Sequence, residues 1–340
     1  MDSLTQIVLG AACGELVLGK KIGNKALLFG AIGGTIPDLD VFIGSFLYNN
    51  EIQAMAFHRG FMHSILFAVL GCFAFGWITY KLYNTKKRTG TTQLKDWILL
   101  FFWAIFTHPL LDCFTPYGTQ LFAPFSNYRV AFNNISVVDP LYTLPFLFCM
   151  IVVLFLKRTN LKRLQWTKVG IYISSIYMVF TLFNKFYINR VFKKSFKKAG
   201  ISFQRFSAQP TILNNILWYA VAETATEYHL TFYSHFDKST TADKMITITK
   251  NHEVIDMNDK NLQTLAWFSN DYFTIHKKEK ISTFKYTDLR YPMVNPDDVN
   301  TSIFNFTVYL ENGEWDILPF DGNTPSKEDF AKFTKRFWGI

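Results

Sequence analysis

Residues 61–83 read FMHSILFAVLGCFAFGWITYKLY, a stretch that is apolar almost throughout. A helix needs about 20 such residues to cross the hydrocarbon core of a bilayer. Three further runs reach or approach this length, at 97–114, 137–156 and 169–188. We therefore predict a polytopic membrane protein with about four spanning helices.

Two shorter apolar runs, at 4–18 and 26–36, precede these four and are rich in glycine and alanine. Small residues allow helices to approach closely, so the two runs predict a tightly packed or re-entrant pair of short helices. A cleavable signal peptide is not expected, because Asp2 precedes the first run, no basic residue does, and Glu15 interrupts it.

The second half has a different pattern, with charges throughout and short alternations of β-branched and aromatic residues. Strands are predicted at 228–233, 245–249, 284–286 and 303–310. Asn312-Gly313 predicts a hairpin turn into a further strand at 315–318. Ser326 predicts the N-cap of a closing helix.

These patterns predict two domains. Residues 1–190 are expected to form an α-helical polytopic membrane domain, with four spanning helices and the short helical pair. Residues 199–340 are expected to form a small soluble, mostly antiparallel α+β domain.

The formal net charge of +9 lies largely beside the apolar runs. Thirteen lysines and arginines fall at 20–25, 81–95 and 157–168. The alternate connections, 37–60 and 115–136, hold only Arg59 and Arg129, and we call them the lysine-poor connections. The positive-inside rule therefore places these connections, and the C-terminal domain, outside the cytoplasm. Positive charge beside apolar runs favours membrane lipid as a partner. Nucleic acid is not expected as a partner, because no nucleic-acid-binding motif accompanies the charge.

Ionisable residues gather where the apolar runs end on the lysine-poor side. They are Asp38 and Asp40, then His58, Arg59 and His63, then His108 and Asp112. Charged groups at membrane depth are costly and indicate function. Since His108 and Asp112 are four residues apart, a helix puts them on one face.

This set of side chains fits one or two divalent metal ions. We expect the ligands to be Asp38, His58, His63, His108 and Asp112, with Zn²⁺ as the first choice and Mn²⁺ or Fe²⁺ as alternatives. Asp40 and His63 are expected to be acid or base groups of the reaction. Arg59 is expected to bind an anionic group of the substrate, bidentately if that group is phosphate or carboxylate.

These residues, and Asp139 as well, also have purely structural interpretations, and for His63, His108 and Asp112 that interpretation is a role in packing alone. Asp38 and Asp40 could be turn residues at the end of a helix. His58 and Arg59 could be anchors at the membrane interface. Asp139, which precedes Pro140, could simply be the N-cap of the next helix.

Four motifs together resemble the bacterial membrane-bound metal-dependent hydrolases, a family also described as LexA-binding, inner-membrane-associated hydrolases. The motifs are Met1-Asp2-Ser3-Leu4-Thr5-Gln6, Pro37-Asp38-Leu39-Asp40, HRGFMHS at 58–64 and His108-Pro109-Leu110-Leu111-Asp112. The resemblance covers roughly residues 1–145. It implies a multi-pass protein of the bacterial inner membrane and a metal-dependent hydrolase. A LexA partner would require access from the cytoplasm, which conflicts with the charge distribution, and we follow the charge.

The leading functional hypothesis is a membrane-embedded metal-dependent hydrolase that acts at the bilayer interface on an amphiphilic small molecule, a lipid ester or a phosphoester. The alternative is a non-enzymatic inner-membrane regulator or scaffold, in which the polar cluster holds helices together; a protein partner is left open. A transporter fits less well, because transporters place their sites near the midplane of the membrane.

Overall fold

The apolar runs of the first half form helices, and the polar residues between them form the helix ends. The structure, a computed structural model, describes residues 1–279, 282–319 and 325–340. The helices of the first half are α1 (Ser3–Ile22), α2 (Asn24–Thr35), α3 (Asp40–Leu47), α4 (Glu51–Phe57), α5 (Ile65–Tyr83), α6 (Leu94–Asp112), α7 (Pro140–Phe155) and α8 (Lys162–Lys198). Single turns of 3₁₀ helix at Pro37–Leu39 and Phe61–His63 precede α3 and α5.

Three of these helices, α5, α6 and α8, are long and apolar enough to cross a membrane, as judged over the described ranges. A fourth span arises if α2 and residues 37–47, which meet at a bend of 45°, count as one. The predicted helical membrane region is thus confirmed. One detail differs: α7 has 16 residues, so the run at 137–156 forms a shorter helix than expected.

The short helical pair is formed by α1 and α2, whose backbones touch. Gly10 and Gly14 on α1 face Gly30 and Gly34 on α2, and each pair is four residues apart. A Cβ atom added to Gly10 would lie 2.9 Å from the Cα atom of Gly34, and one added to Gly30 the same distance from the Cα atom of Gly14. Since there is no room for a side chain, glycine is what allows this close approach.

The second half contains two β-sheets, and the first strand begins at residue 205. One sheet has the order β1 (Arg205–Pro210), β2 (Leu217–Glu223), β3 (Glu227–Ser234) and β4 (Ile246–Thr249). The other has the order β5 (Phe273–Lys277), β6 (Thr283–Asp288), β7 (Asn305–Glu311) and β8 (Glu314–Pro319). All neighbouring strands are antiparallel, and the helices are α9 (Lys260–Phe268) and α10 (Lys327–Phe337).

This arrangement confirms the predicted α+β region. The turn between β7 and β8 has positive φ at both Asn312 and Gly313, as a tight hairpin requires. Ser326 caps α10 in a reciprocal arrangement with Asp329. Strands β1, β2 and β5 and helix α9 were not among the predicted elements.

The chain divides into two compact units. One consists of Met1–Ile43 and Phe57–Thr181, and the other of Gly44–Ala56 and Leu182–Ile340. The segment 44–56 therefore lies in the second unit, although the sequence prediction puts it in the membrane domain. Its Ile52 is fully buried in the apolar core around β5–β8, and the side-chain amide of Asn50 donates to the Trp315 carbonyl oxygen at 2.9 Å.

Candidate metal centre

The predicted site residues all lie in the first unit, where helix ends meet. Asp38 is in the single turn that follows α2, and Asp40 begins α3. His63 ends the turn before α5, whose N-cap is the next residue. His108 and Asp112 occupy the last turn of α6.

Four of these residues converge on one point. They are Asp38, His63, His108 and Asp112, each of which offers a ligand atom within 4.8 Å of the others. The Nε2 atoms of His63 and His108 lie 3.1 Å apart, and Asp38 Oδ1 lies 3.4 and 3.3 Å from them. Asp112 Oδ2 lies 3.5 Å from both Nε2 atoms.

These separations fit a metal ion. Four ligands at the usual Zn–N and Zn–O distances, arranged as a tetrahedron, are about 3.3–3.6 Å apart. Asp112 Oδ2 is buried and accepts no hydrogen bond from the described residues, although Arg59 Nε lies 3.2 Å from it as an ion pair. A buried carboxylate oxygen that accepts no hydrogen bond is expensive unless cations lie beside it, and Arg59 is one such cation. The donor set therefore suits a divalent cation.

The far nitrogen of each imidazole lies close to an oxygen atom. His108 Nδ1 lies 2.6 Å from the Gly34 carbonyl oxygen, which can only accept a hydrogen bond. His63 Nδ1 lies 2.9 Å from Asp40 Oδ2, although this contact does not have the angle of a hydrogen bond. Protons on both Nδ1 atoms leave the Nε2 lone pairs facing the centre, which is the form that binds a metal.

Asp40 and His58 thus lie one layer outside the group of four. The structure does not bring His58 into the group, although the sequence prediction counts it as a ligand: its Nδ1 bonds Asp40 Oδ1 at 2.7 Å. Burial lowers the pKa of His58, and the hydrogen bond to Asp40 only partly opposes this. Asp40, expected as an acid or base group, contacts the far side of the His63 ring instead of the centre.

Arg59 borders the group and has a strained backbone, with φ of +62°. A non-glycine residue in this region must be held by its surroundings. Its N–H donates to Asp40 Oδ2 at 2.9 Å, and its carbonyl oxygen accepts from Gln120 N–H at 3.0 Å. Arg59 Nε pairs with Asp112 Oδ2 at 3.2 Å, and Nη1 donates to the Thr115 hydroxyl at 3.0 Å.

Sequence reasoning missed the groups that hold the other oxygen of Asp112. The side-chain amide of Gln6 donates to Asp112 Oδ1 at 3.0 Å, and the Met1 amino group donates to the same atom. The signal was present, because Gln6 belongs to the opening motif that carries the family resemblance. Gln6 carries no charge, however, and a search for ionisable residues in apolar runs does not find it.

Asp139 is placed as the structural interpretation predicts. Its Oδ1 accepts from the backbone N–H groups of Leu141 and Tyr142, at 3.0 and 3.3 Å, at the start of α7. Its Oδ2 accepts from the Tyr177 hydroxyl at 2.9 Å. Asp139 is therefore the N-cap of α7, followed by Pro140 at the first helical position.

Comparisons with known proteins identify the first unit. The family described as YdjM inner membrane protein matches residues 1–190, which is more than half of the chain. The uncharacterized protein YfhP of Bacillus subtilis (strain 168) is 32% identical over 147 residues. That alignment covers 41% of this chain and 42% of YfhP, so it spans less than half of either protein. No solved structure matches the chain.

Proposed function

This chain belongs to the YdjM inner membrane protein family, and we propose that it is a membrane-embedded metal-dependent hydrolase. Its substrate would be an amphiphile at the bilayer interface, a lipid ester or a phosphoester. The observation that supports this most is the convergence of two imidazoles and two carboxylates at metal-binding distances, at the ends of apolar helices.

Asp38, His63, His108 and Asp112 would hold the ion. When bound there, a divalent metal supplies Lewis-acid chemistry that activates water for hydrolysis. Two nitrogen and two oxygen donors suit Zn²⁺ first, and Mn²⁺ or Fe²⁺ are alternatives. Three of the four side chains are almost fully buried, whereas the Asp38 side chain is 28% exposed. A substrate would therefore approach from the Asp38 side.

Residues around the four ligands would orient the histidines, bind the second oxygen of Asp112 and bind the substrate. The Gly34 carbonyl oxygen keeps a proton on His108 Nδ1, and Asp40, whose Oδ2 lies 2.9 Å from His63 Nδ1, would do the same for His63. Gln6 and the Met1 amino group occupy Asp112 Oδ1, so Oδ2, which Arg59 Nε approaches at 3.2 Å, would be the oxygen that binds the ion. Arg59 would bind an anionic group of the substrate beside the metal.

Metal analysis of the purified full chain tests the proposal. We expect about one equivalent of Zn²⁺, Mn²⁺ or Fe²⁺ per chain, since the described residues contain one such group of ligands. His63→Ala and His108→Ala should each lose the metal and any hydrolysis of phospholipid or acylglycerol vesicles. His276→Ala, an exposed histidine of β5, is the matched control and should keep both.

A wild-type protein that takes up none of the three metals on reconstitution would overturn the proposal. So would His63→Ala and His108→Ala variants that retain metal and activity. If these variants bind no metal and fold normally while wild type hydrolyses no lipid, the regulator or scaffold alternative would take precedence.

A further inference from the structure

The second unit contains a cavity of about 530 Å³. Its lining comes from the last residue of β2, the segment after β4, helix α9 and the first residue of β5. Trp267, Met257 and Phe273 make part of this lining apolar, and most of the remaining side chains are polar or charged. Small-molecule sites typically have about 300–1,000 Å³ and a similar mixture of apolar and polar groups. The cavity is therefore suited to a small organic molecule.

One wall of the cavity is the end of a stack of aromatic rings. The His252 ring lies parallel to the Phe273 ring, with centroids 3.9 Å apart, and Phe273 stacks on Tyr286 with centroids 4.7 Å apart. Tyr286 is fully buried in the apolar core around β5–β8. His252 Nε2 donates to the Phe273 carbonyl oxygen at 2.9 Å, which fixes the orientation of the imidazole. Because this wall is already ordered, a ligand would bind it at a low entropic cost.

The charges of the lining, together with Arg205, balance. Glu223 Oε1 accepts from Lys250 Nζ at 2.6 Å, and its Oε2 pairs with Arg205 Nε. Asp271, an exposed residue of the lining, adds a second carboxylate. Burial lowers the pKa of His252, so its ring is neutral at neutral pH. Two positive charges thus face two negative ones, and the net charge favours neither an anion nor a cation as the ligand.

Hydrogen-bond donors and acceptors are mixed around the cavity. Within the described residues, Lys250 Nζ donates one hydrogen bond, to Glu223, which leaves two of its N–H groups for a ligand. His252 carries its proton on Nε2, so its Nδ1 is an acceptor. Asn270 adds an amide, and Asp271 adds a carboxylate that accepts only. A hydroxyl group both donates and accepts, so a molecule with several hydroxyls suits this mixed set.

The turn that carries Asn270 and Asp271 has an unusual backbone. Both residues have positive φ, 51° and 58°, a conformation that glycine adopts most easily. The turn is held by two hydrogen bonds of Asp271: its N–H donates to the Ala266 carbonyl oxygen at 2.9 Å, and its own carbonyl oxygen accepts from the Tyr228 hydroxyl at 2.6 Å. Strained positions of this kind concentrate at ligand sites. Here the strain holds two polar side chains in the lining of the cavity.

We propose that this cavity binds a neutral saccharide. The C–H face of a sugar ring would pack against Trp267, because the face of an aromatic ring is electron-rich. The hydroxyl groups would bond to Lys250, Asn270 and Asp271. The inference goes beyond the proposed hydrolase function, since it concerns the second unit and needs no metal.

Ligand-observed saturation-transfer NMR on the full chain tests this site, in a detergent that has no sugar head group. The probes are cellobiose, maltose, lactose and N,N′-diacetylchitobiose, each titrated to millimolar concentration. We expect saturable binding of at least one of these neutral disaccharides. Lactobionate, which is anionic, and chitobiose, which is cationic, should bind more weakly, because the charges around the cavity already balance.

Variants of the lining should weaken binding of the disaccharide. Trp267→Ala should do so at least about tenfold, as is usual for an aromatic anchor. Asp271→Asn should cost about tenfold, the effect of losing a hydrogen bond to a charged group. Asn270→Gly keeps the left-handed backbone and removes only the amide, so it should weaken binding about fivefold. Asn312→Gly is the matched control, because Asn312 has φ of 53° in the β7–β8 turn and does not line the cavity.

Asn312→Gly should bind like wild type, and circular dichroism checks that each variant is folded. If Trp267→Ala does not fold, Asp271→Asn and Asn270→Gly decide, since both change exposed side chains. A wild type that binds none of the four neutral disaccharides would overturn the inference. Tighter binding of lactobionate or chitobiose would also overturn it, as would unchanged binding by both Asp271→Asn and Asn270→Gly.

Discussion

At the scale of single residues, Asp40 is important although it does not face the centre. Its two oxygens lie near three nitrogen atoms: His58 Nδ1, His63 Nδ1 and the Arg59 backbone N–H. Replacing Asp40 by Asn puts an amide nitrogen in place of one acceptor and removes the charge that holds the His63 proton. Groups that orient metal ligands typically contribute about 10–100-fold to affinity.

We therefore expect Asp40→Asn to weaken Zn²⁺ binding by about 10–100-fold while the stoichiometry at saturation is kept. Competition with a chelator of known affinity measures this change. Asp243→Asn, at an exposed carboxylate paired with Lys198, is the control and should leave the affinity unchanged. An Asp40→Asn variant with wild-type affinity would show that the carboxylate does not fix the histidine.

At the scale of helices, the backbone contact between α1 and α2 positions part of the site. Gly34 O accepts from His108, and Gly34 itself lies against Gly10. A methyl group at Gly30 would meet the carbonyl oxygen of Gly10 and lie 2.9 Å from the Gly14 Cα atom, and backbone cannot move aside as a side chain can. We expect Gly30→Ala to cost about 1–3 kcal/mol of stability and to weaken metal binding.

Gly71→Ala in α5 is the matched control, because the nearest atom to its added Cβ is 3.5 Å away. It should be neutral or slightly stabilising, since alanine favours a helix over glycine. Thermal unfolding in detergent, followed by tryptophan fluorescence, measures both variants. Equal unfolding temperatures for Gly30→Ala and Gly71→Ala would contradict the proposed role of the glycine contact.

At the scale of the whole molecule, the prediction concerns the side of the membrane from which the site is accessible. The lysine-poor connections adjoin every proposed ligand, so we expect the site to face away from the cytoplasm. Single cysteines at Asn127 and Thr89 in a chain without Cys13, Cys72, Cys113 and Cys149 test this. Both positions are exposed, whereas Thr119 in the same loop as Asn127 is fully buried and unsuitable.

An impermeant thiol reagent applied to intact cells should label the cysteine at position 127 and leave the one at position 89 unlabelled until the cells are permeabilised. The reverse pattern would place the site on the cytoplasmic face, where a LexA partner could reach it. The position 89 variant also reports whether the reagent has entered the cells, because it lies in a lysine-rich connection.

The amino-acid sequence alone determined the elements whose causes are local. Long apolar runs predict membrane helices because backbone groups in lipid must bond within their own segment. The turn at Asn312-Gly313 and the caps at Ser326 and Asp139 follow from the chemistry of one to four neighbouring residues. The i, i+4 spacing of His108 and Asp112 likewise places them on one helix face.

Only the tertiary structure decided which polar residues meet. Gln6 contacts Asp112 across 106 positions, and His58 bonds Asp40 instead of facing the centre with His63. Such contacts depend on which helix ends pack together and on how the glycines of α1 and α2 bring their backbones close. Spacing along the chain fixes neighbours within a helix, whereas a metal centre joins side chains from different helices, and packing alone sets their distances.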